Sequence, residues 1–280
     1  MTQLQHLLKN DRPIIMGILN LTPDSFSDGG SYTDIGQAVC FALEMVNEGA
    51  DIIDVGGEST RPDSKRVAPA EQLRRVLEVI KTLRQTLPKN IPISIDTTWS
   101  EVAKAAIWAG ASIINDTRSG RDDDGIFELA AEKKVPIVMM HMQGIPQTMQ
   151  NDPSYKDVVG EVKAFLLERC EIAKGKGVLK ENLIIDPGIG FGKTQEHNLE
   201  LMAHLEEFTA TGYPVLLGTS RKRFMGTVCA GAKPNDLVGA TCATTVLGVN
   251  AGVRIFRVHD VKQNRQAADI AWTINSCNHT

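Results

Sequence analysis

Eight polar side chains close eight short apolar runs along this chain: Asn20, Glu58, Asp96, Asn115, His141, Asp186, Ser220 and His259. Their types suit recognition and charge handling. Asp96 and Asp186 can each accept two parallel hydrogen bonds from a planar donor edge, the geometry that makes bidentate pairing strong. Asn115 offers both a donor and an acceptor, and Lys222 offers donors only. Arg257 can fork two phosphate oxygens, and His259 can donate once more. Carboxylates on a shared, desolvated surface are costly when unpaired, so a donor-rich ligand is expected between them.

Such residues need a scaffold that gathers positions far apart in sequence. The runs preceding them cover 14–19, 51–55, 91–95, 112–114, 135–140, 183–185, 214–217 and 254–258. Between the runs, 38–48, 70–86, 101–108, 158–174 and 262–275 carry apolar residues at helical spacing. Continuous apolar strands alternating with helices predict a parallel sheet covered on its outer face. Eight such units in 280 residues predict an α/β fold, a (β/α)8 TIM barrel, as a single domain over 1–280 in which residues 1–12 are a polar extension. The C-terminal strand ends of such a barrel meet on one rim, which is the expected site. Arg257 and His259 then precede the last helix, whose N-terminus adds unpaired N–H groups.

Composition excludes several classes. Thirty basic against thirty-four acidic residues leave a net charge of -4 with no sustained basic stripe, so no nucleic-acid partner is expected. The five cysteines are scattered without a CxxC, which predicts neither a disulfide framework nor a zinc site. Residues 1–12 lack the apolar core of a signal peptide. The longest apolar stretch, 238–253, is broken by Gly239, Thr241, Thr244, Thr245, Gly248 and Asn250 and makes a poor membrane span. No GxGxxG follows the first run and no GxSxG elbow is present. A cytoplasmic protein without a membrane partner is expected. The helix over 236–250 is apolar around much of its circumference and needs cover on both sides, from the barrel and from a second subunit. His141 receives no role, since a lone histidine at a strand end is more often structural than catalytic.

Five ordered motifs carry a resemblance. Met16-Gly17-Ile18-Leu19-Asn20-Leu21-Thr22-Pro23-Asp24-Ser25-Phe26-Ser27-Asp28-Gly29-Gly30 takes the first run into a glycine-punctuated loop, and Gly56-Gly57-Glu58-Ser59-Thr60-Arg61-Pro62 follows the second. Asp186-Pro187-Gly188-Ile189-Gly190-Phe191-Gly192-Lys193-Thr194, Gly218-Thr219-Ser220-Arg221-Lys222 and Arg257-Val258-His259-Asp260 complete the set. From about residue 13 to 275 the chain resembles dihydropteroate synthases, barrel enzymes that join 4-aminobenzoate to 6-hydroxymethyl-dihydropterin diphosphate and release pyrophosphate. The resemblance implies pterin binding by Asp96, Asn115, Asp186 and Lys222, and diphosphate binding by Asn20, Arg61, Arg257 and His259. It implies Mg2+ held through the amide oxygen of Asn20, and an aromatic-acid pocket of Phe26, Thr60, Pro62, Phe191 and Ser220. Asp28, Arg61, Lys222, Arg257 and His259 would serve the chemical step, a dissociative substitution with Asp28 stabilising the pterin cation. A homodimer and sensitivity to sulfonamides are implied as well.

Two alternatives share the pterin pocket: a pterin- or folate-binding methyltransferase barrel, and a non-catalytic pterin-binding protein. Neither needs groups for a leaving diphosphate, so Arg257, His259 and the Asp28/Arg61 loop pair favour the synthase. Two stretches depart from the family pattern. Asp63-Ser64-Lys65-Arg66 is more polar and basic than the usual Gly-Ala sequence, and Thr117-Arg118-Ser119-Gly120 stands where an aliphatic residue and Ser are commoner. The first bears on where loop two rests, the second on the rim beside the pterin pocket.

Overall fold

The computed structural model describes residues 1–21, 32–59, 64 and 66–277, with the side chains of 32–34 left out. Helix α1 (Gln3–Lys9) leads into β1 (Ile14–Asn20), α2 (Tyr32–Asn47), β2 (Ile52–Gly56), α3 (Pro69–Thr86) and β3 (Ile93–Asp96). Then come α4 (Ser100–Ala109), β4 (Ile113–Asp116), α5 (Gly125–Lys133), β5 (Ile137–Met140), α6 (Val158–Gly175) and β6 (Leu183–Asp186). The chain ends through α7 (Gln195–Ala203), α8 (Leu205–Thr209), β7 (Leu216–Leu217), α9 (Arg223–Val228), α10 (Val238–Asn250), β8 (Ile255–Val258) and α11 (Val261–Cys277). The eight strands pair in parallel in the order β6-β5-β4-β3-β2-β1-β8-β7, and a bridge between Ile185 and Val215 joins the two ends into a nearly closed (β/α)8 barrel.

Strands β3, β5 and β7 start two residues later than the apolar runs suggest, and proline is the reason. Pro92, Pro136 and Pro214 have no N–H to donate to a ladder. Their carbonyls still take part, accepting from Ile53 (3.2 Å), Ile114 (2.9 Å) and Ile185 (3.0 Å).

Alternation along each strand divides the core into two layers. Outward residues such as Ile53, Val55, Ile95, Ile114 and Ile185 pack against helix residues such as Val76, Ile80, Val102 and Leu166. Inward residues Ile14, Met16, Ile52, Ile113, Val138, Ile184, Leu216 and Ile255 fill the barrel. Helix α1 closes the floor: Leu4 is 1% exposed within that inner cluster, and Leu7 and Leu8 pack against it. Thr2 and Gln5 cap the helix reciprocally, Gln5 donates to Asn182 at 2.8 Å and Ser112 donates to Gln3 at 2.9 Å. The stretch expected as a polar extension is therefore part of the barrel. Its three leucines sit at helical spacing, and the polar residues between them mask that stripe.

Above the apolar floor the inward positions turn polar. Asp54, Asp96, Asn115 and Asp186 are all buried, so the upper half of the barrel is a charged and hydrogen-bonding chamber.

Candidate active site

The strand register sets the chamber wall. Asn20 lies beside Gly56, Gly56 beside Asp96, and Asp96 beside Asn115, a continuous arc from β1 to β4. Glycine at 56 leaves the wall open: a Cβ there would stand 3.5 Å from both the Asn20 Oδ1 and the Asp96 Cβ. Asp186 ends β6 on the opposite side, with its Oδ1 accepting from the Gly188 N–H at 2.7 Å.

Arg257, rising from β8, crosses the chamber. Its Nε donates to Asp54 Oδ2 at 2.6 Å and its Nη2 to Asp96 Oδ2 at 2.8 Å, while Asn115 Nδ2 reaches Asp54 Oδ2 at 3.2 Å. Asp54 was not singled out from the sequence, although a carboxylate inside the apolar run Ile52-Ile53-Asp54-Val55 is a readable signal. It is fully buried, and its Oδ1 has no partner among the described residues, as is also true of the Ser94 hydroxyl beside it in register.

Burial sets the charges of the chamber. Desolvation pushes Asp96 up to about 7, against the pull of Arg257 and with a further push from Asp54. Asp186 is also raised by burial, opposed by the Gly188 N–H and by Lys222. Lys222 is brought down to about 7 by the same desolvation, with Asp186 resisting. Burial works against the charge on Arg257 too, but Asp54 and Asp96 outweigh it and its pKa stands raised. Among the described residues of the chamber, Asp54, Asp96 and Asp186 share Arg257 and Lys222, an excess of acceptors that a ligand rich in N–H donors would satisfy.

Lys222 and Phe191 meet at the edge of the chamber. The Lys222 Nζ donates to the Ile189 carbonyl and sits 3.9 Å from the centroid of the Phe191 ring, a cation–π distance. Phe191 packs in turn on Met140, Met142 and Met149. Ser220 accepts from the His259 backbone N–H at 3.1 Å and lies 3.0 Å from its Nδ1, which ties the ends of β7 and β8 together. Behind them Arg221 forks Asp260 at 2.6 and 3.0 Å, and Thr219 meets Thr244 at 2.7 Å, so one face of α10 is committed to the loop that carries Lys222.

Two of the eight strand-end residues are turned to other work. Glu58 accepts from Gln72 Nε2 at 2.5 Å, and Gln72 accepts from Thr97 at 2.9 Å, which fixes the start of loop two on α3. His141 pairs with Lys193, its Nδ1 lying 3.0 Å from Nζ. Phe26, Asp28, Thr60, Arg61 and Pro62, assigned from the resemblance to the catalytic step, the diphosphate and the aromatic-acid pocket, lie outside the described residues.

The two departures from the family pattern meet on one carboxylate, that of Asp122. Arg66 bonds Asp122 at 2.8 Å and stacks over Trp99 at 4.5 Å, while Arg118 reaches the same carboxylate at 3.2 Å and donates to the Gly144 carbonyl. Ser64 donates to the Ser59 carbonyl at 2.6 Å, closing the neck of loop two. The substituted arginines thus lace loop two to the loops after β4 and β5.

Comparison with known proteins finds relatives over nearly the whole chain. Residues 16–259 match the family model described as pterin binding enzyme. A dihydropteroate synthase of Synechocystis is 46% identical over 264 residues, covering 93% of this chain and 91% of that one. A Clostridium difficile dihydropteroate synthase solved in the presence of pteroic acid is 45% identical with a TM-score of 0.88, over 94% of this chain and 97% of that one. A Yersinia pestis dihydropteroate synthase in a sulfonamide complex is 41% identical, also with a TM-score of 0.88, over 95% of each chain. A chamber of buried acceptors at the C-terminal rim, on a fold shared over nearly the whole length, places the chain in a family: it belongs to the dihydropteroate synthases among the pterin-binding enzymes.

Proposed function

We propose that this protein condenses 6-hydroxymethyl-7,8-dihydropterin diphosphate with 4-aminobenzoate, giving 7,8-dihydropteroate and pyrophosphate. The observation that carries the reading is the buried chamber in which Asp96, Asn115, Asp186 and Lys222 surround Arg257. A pterin presents a flat edge of N–H donors beside ring acceptors. Asp186 and Asp96 supply acceptors for that edge, and Asn115 and Lys222 supply donors for the ring nitrogen and oxygen. Pterin donors arriving at Asp96 compete with Arg257 for the same carboxylate, which releases one guanidinium edge toward the diphosphate.

In the reaction the bond between the pterin methylene carbon and the diphosphate oxygen breaks, and its electron pair leaves on the diphosphate. The amine nitrogen of 4-aminobenzoate forms the new C–N bond and yields one proton to water. An aryl amine is largely unprotonated at neutral pH, so no strong base is needed. Arg257 and His259, with Asn20 and Arg61, hold the leaving group, and Asp28 stabilises the cationic pterin methylene. Ser220 and Phe191, with Phe26, Thr60 and Pro62, receive the aromatic acid.

The donor set fits Mg2+ only together with the diphosphate. No cluster of three His, Cys, Asp or Glu among the described residues could hold a metal alone, and Mg2+ favours few protein ligands plus phosphate oxygens and water. Asn20 would contribute its amide oxygen, and the bound ion would neutralise charge building on the leaving oxygens. A second copy of the chain is the proposed partner. Leu247 on α10 and Ile270 and Ile274 on α11 leave apolar surface 55%, 63% and 59% exposed on two neighbouring helices. The cytoplasm is the proposed location; among the described residues no helix is long and apolar enough to cross a membrane.

Pyrophosphate release measured with and without 4-aminobenzoate tests the reaction. Release that depends on the aromatic acid supports it. Pterin binding without release would make the protein a binder, and methyl transfer would make it the other barrel enzyme. Sulfonamides mimic the anionic aromatic acid and should inhibit competitively against 4-aminobenzoate. Full activity at drug concentrations far above the Michaelis constant for 4-aminobenzoate would mean that the Arg66–Asp122–Arg118 lacing has reshaped the pocket.

A further inference from the structure

The loop after β6 is wound around its own last side chain. Gly188, Gly190 and Gly192 lie at φ +67°, +83° and +61°, the left-handed region where a side chain is strained. A Cβ at Gly188 would also collide with the carbonyl oxygen of His141, and one at Gly192 with that of Gln143. The glycines thus let this loop curl tightly and press onto the loop after β5. Lys193 fills the curl and is 3% exposed. Its Nζ donates to the carbonyls of Gly188 (2.9 Å) and Phe191 (3.0 Å) and stands 3.0 Å from His141 Nδ1. His141 is 7% exposed, its ring edge-on to Phe165 at 4.9 Å and tilted against Tyr155 at 6.0 Å.

A buried amine must satisfy each of its bonding directions. Lys193 does so with two carbonyls of its own loop and one ring nitrogen from the neighbouring loop. The pair is satisfied in either proton arrangement: an ammonium donating to Nδ1, or an amine accepting from Nδ1–H. Burial, then Lys193 itself, takes His141 down to about 2, so the ring stays neutral over the working range. The two carbonyls belong to residues that serve the chamber. The N–H of Gly188 holds Asp186 Oδ1 at 2.7 Å, and Phe191 lies against Lys222, which also donates to the carbonyl of Ile189.

We propose that Lys193 and His141 form a positioning pair for the pterin site: Lys193, braced by His141 Nδ1, holds the loop so that Gly188 orients Asp186 and Phe191 orients Lys222, without either residue of the pair touching substrate. This rests on the reading of Asp186 as the pterin's acceptor. What matters at position 141 is then the hydrogen-bonding atom at Nδ1 rather than the ring.

Calorimetry of the pterin diphosphate with Mg2+ on wild type, His141→Asn, His141→Phe and Lys193→Met separates the two. Asparagine keeps a polar atom near the place of Nδ1 and loses the ring; phenylalanine keeps the ring and loses that atom. His141→Asn should bind within roughly threefold of wild type, and His141→Phe and Lys193→Met at least about tenfold more weakly, the scale of one lost buried hydrogen bond. Melting temperatures should fall for both His141 variants, because asparagine gives up the edge contact with Phe165 and phenylalanine leaves a Lys193 N–H unpaired. Equal binding by the two His141 variants, or binding losses that follow the melting temperatures, would overturn the proposal. Failure of wild type to bind the pterin diphosphate would instead overturn the assignment of Asp186, and this inference with it.

Discussion

Asp186→Ala should weaken binding of the pterin diphosphate by about 2–4 kcal/mol, because a donor edge buried without its acceptor bears its full desolvation cost. The carboxylate is buried at the end of β6 and held by the Gly188 N–H, so it meets the ligand already oriented. Asp186→Asn should fare little better, since it turns an amide donor toward the ligand's own donors. Calorimetry on folded protein, checked by circular dichroism, reads the effect directly. Near-wild-type affinity in a folded Asp186→Ala protein would remove Asp186 from the site.

Arg257→Ala should cost more, in both stability and turnover. The guanidinium is the shared partner of Asp54 and Asp96, and removing it leaves two adjacent carboxylates buried without a cation. Breaking a buried pair in this way costs about 3–5 kcal/mol. The loss should depend on pH. Asp96 already has a folded pKa of about 7, above its unfolded value, so its contribution to stability is complete below the unfolded pKa and is lost as pH rises through 7. Without Arg257, the main group pulling that value down, the folded pKa climbs further. Urea denaturation should therefore show a larger penalty at about pH 8 than at about pH 5. Turnover should fall by roughly 100-fold or more, the scale of removing one electrostatic group from a leaving-group site. A pH-independent penalty would mean that Asp96 does not carry the strain.

The barrel was legible because strand and helix residues differ in kind: runs such as Ile113-Ile114 and Leu183-Ile184-Ile185 are buried on both faces, and their polar terminators fall on one rim. Legibility failed where a residue's partner lies far away in the chain. Nothing near Asp54 announces Arg257, about two hundred residues on, whose guanidinium explains why a carboxylate sits in that strand. Glu58 and His141 follow the same strand-end rule as Asp96 and Asp186, yet their side chains turn to Gln72 and Lys193. The rule gives the height of a residue in the barrel, while the neighbouring loop decides its direction. Helix α1 escaped because only Leu4, Leu7 and Leu8 among its residues face the floor, too few to stand out in a polar stretch. Arg66 and Arg118 stood out only as departures, and their common partner, Asp122, is visible only in three dimensions.

The closure of the barrel is uneven. Seven of its seams are continuous ladders, while the eighth, between β6 and the two-residue β7, is held at Ile185 and Val215. Mechanically this is a split ring with a clasp. Asp186 leaves the ring on one side of the split, and Lys222 belongs to the loop on the other. Any widening of the ring at this split would therefore also part Asp186 from Lys222, and Lys222 is itself latched across the split to the carbonyl of Ile189.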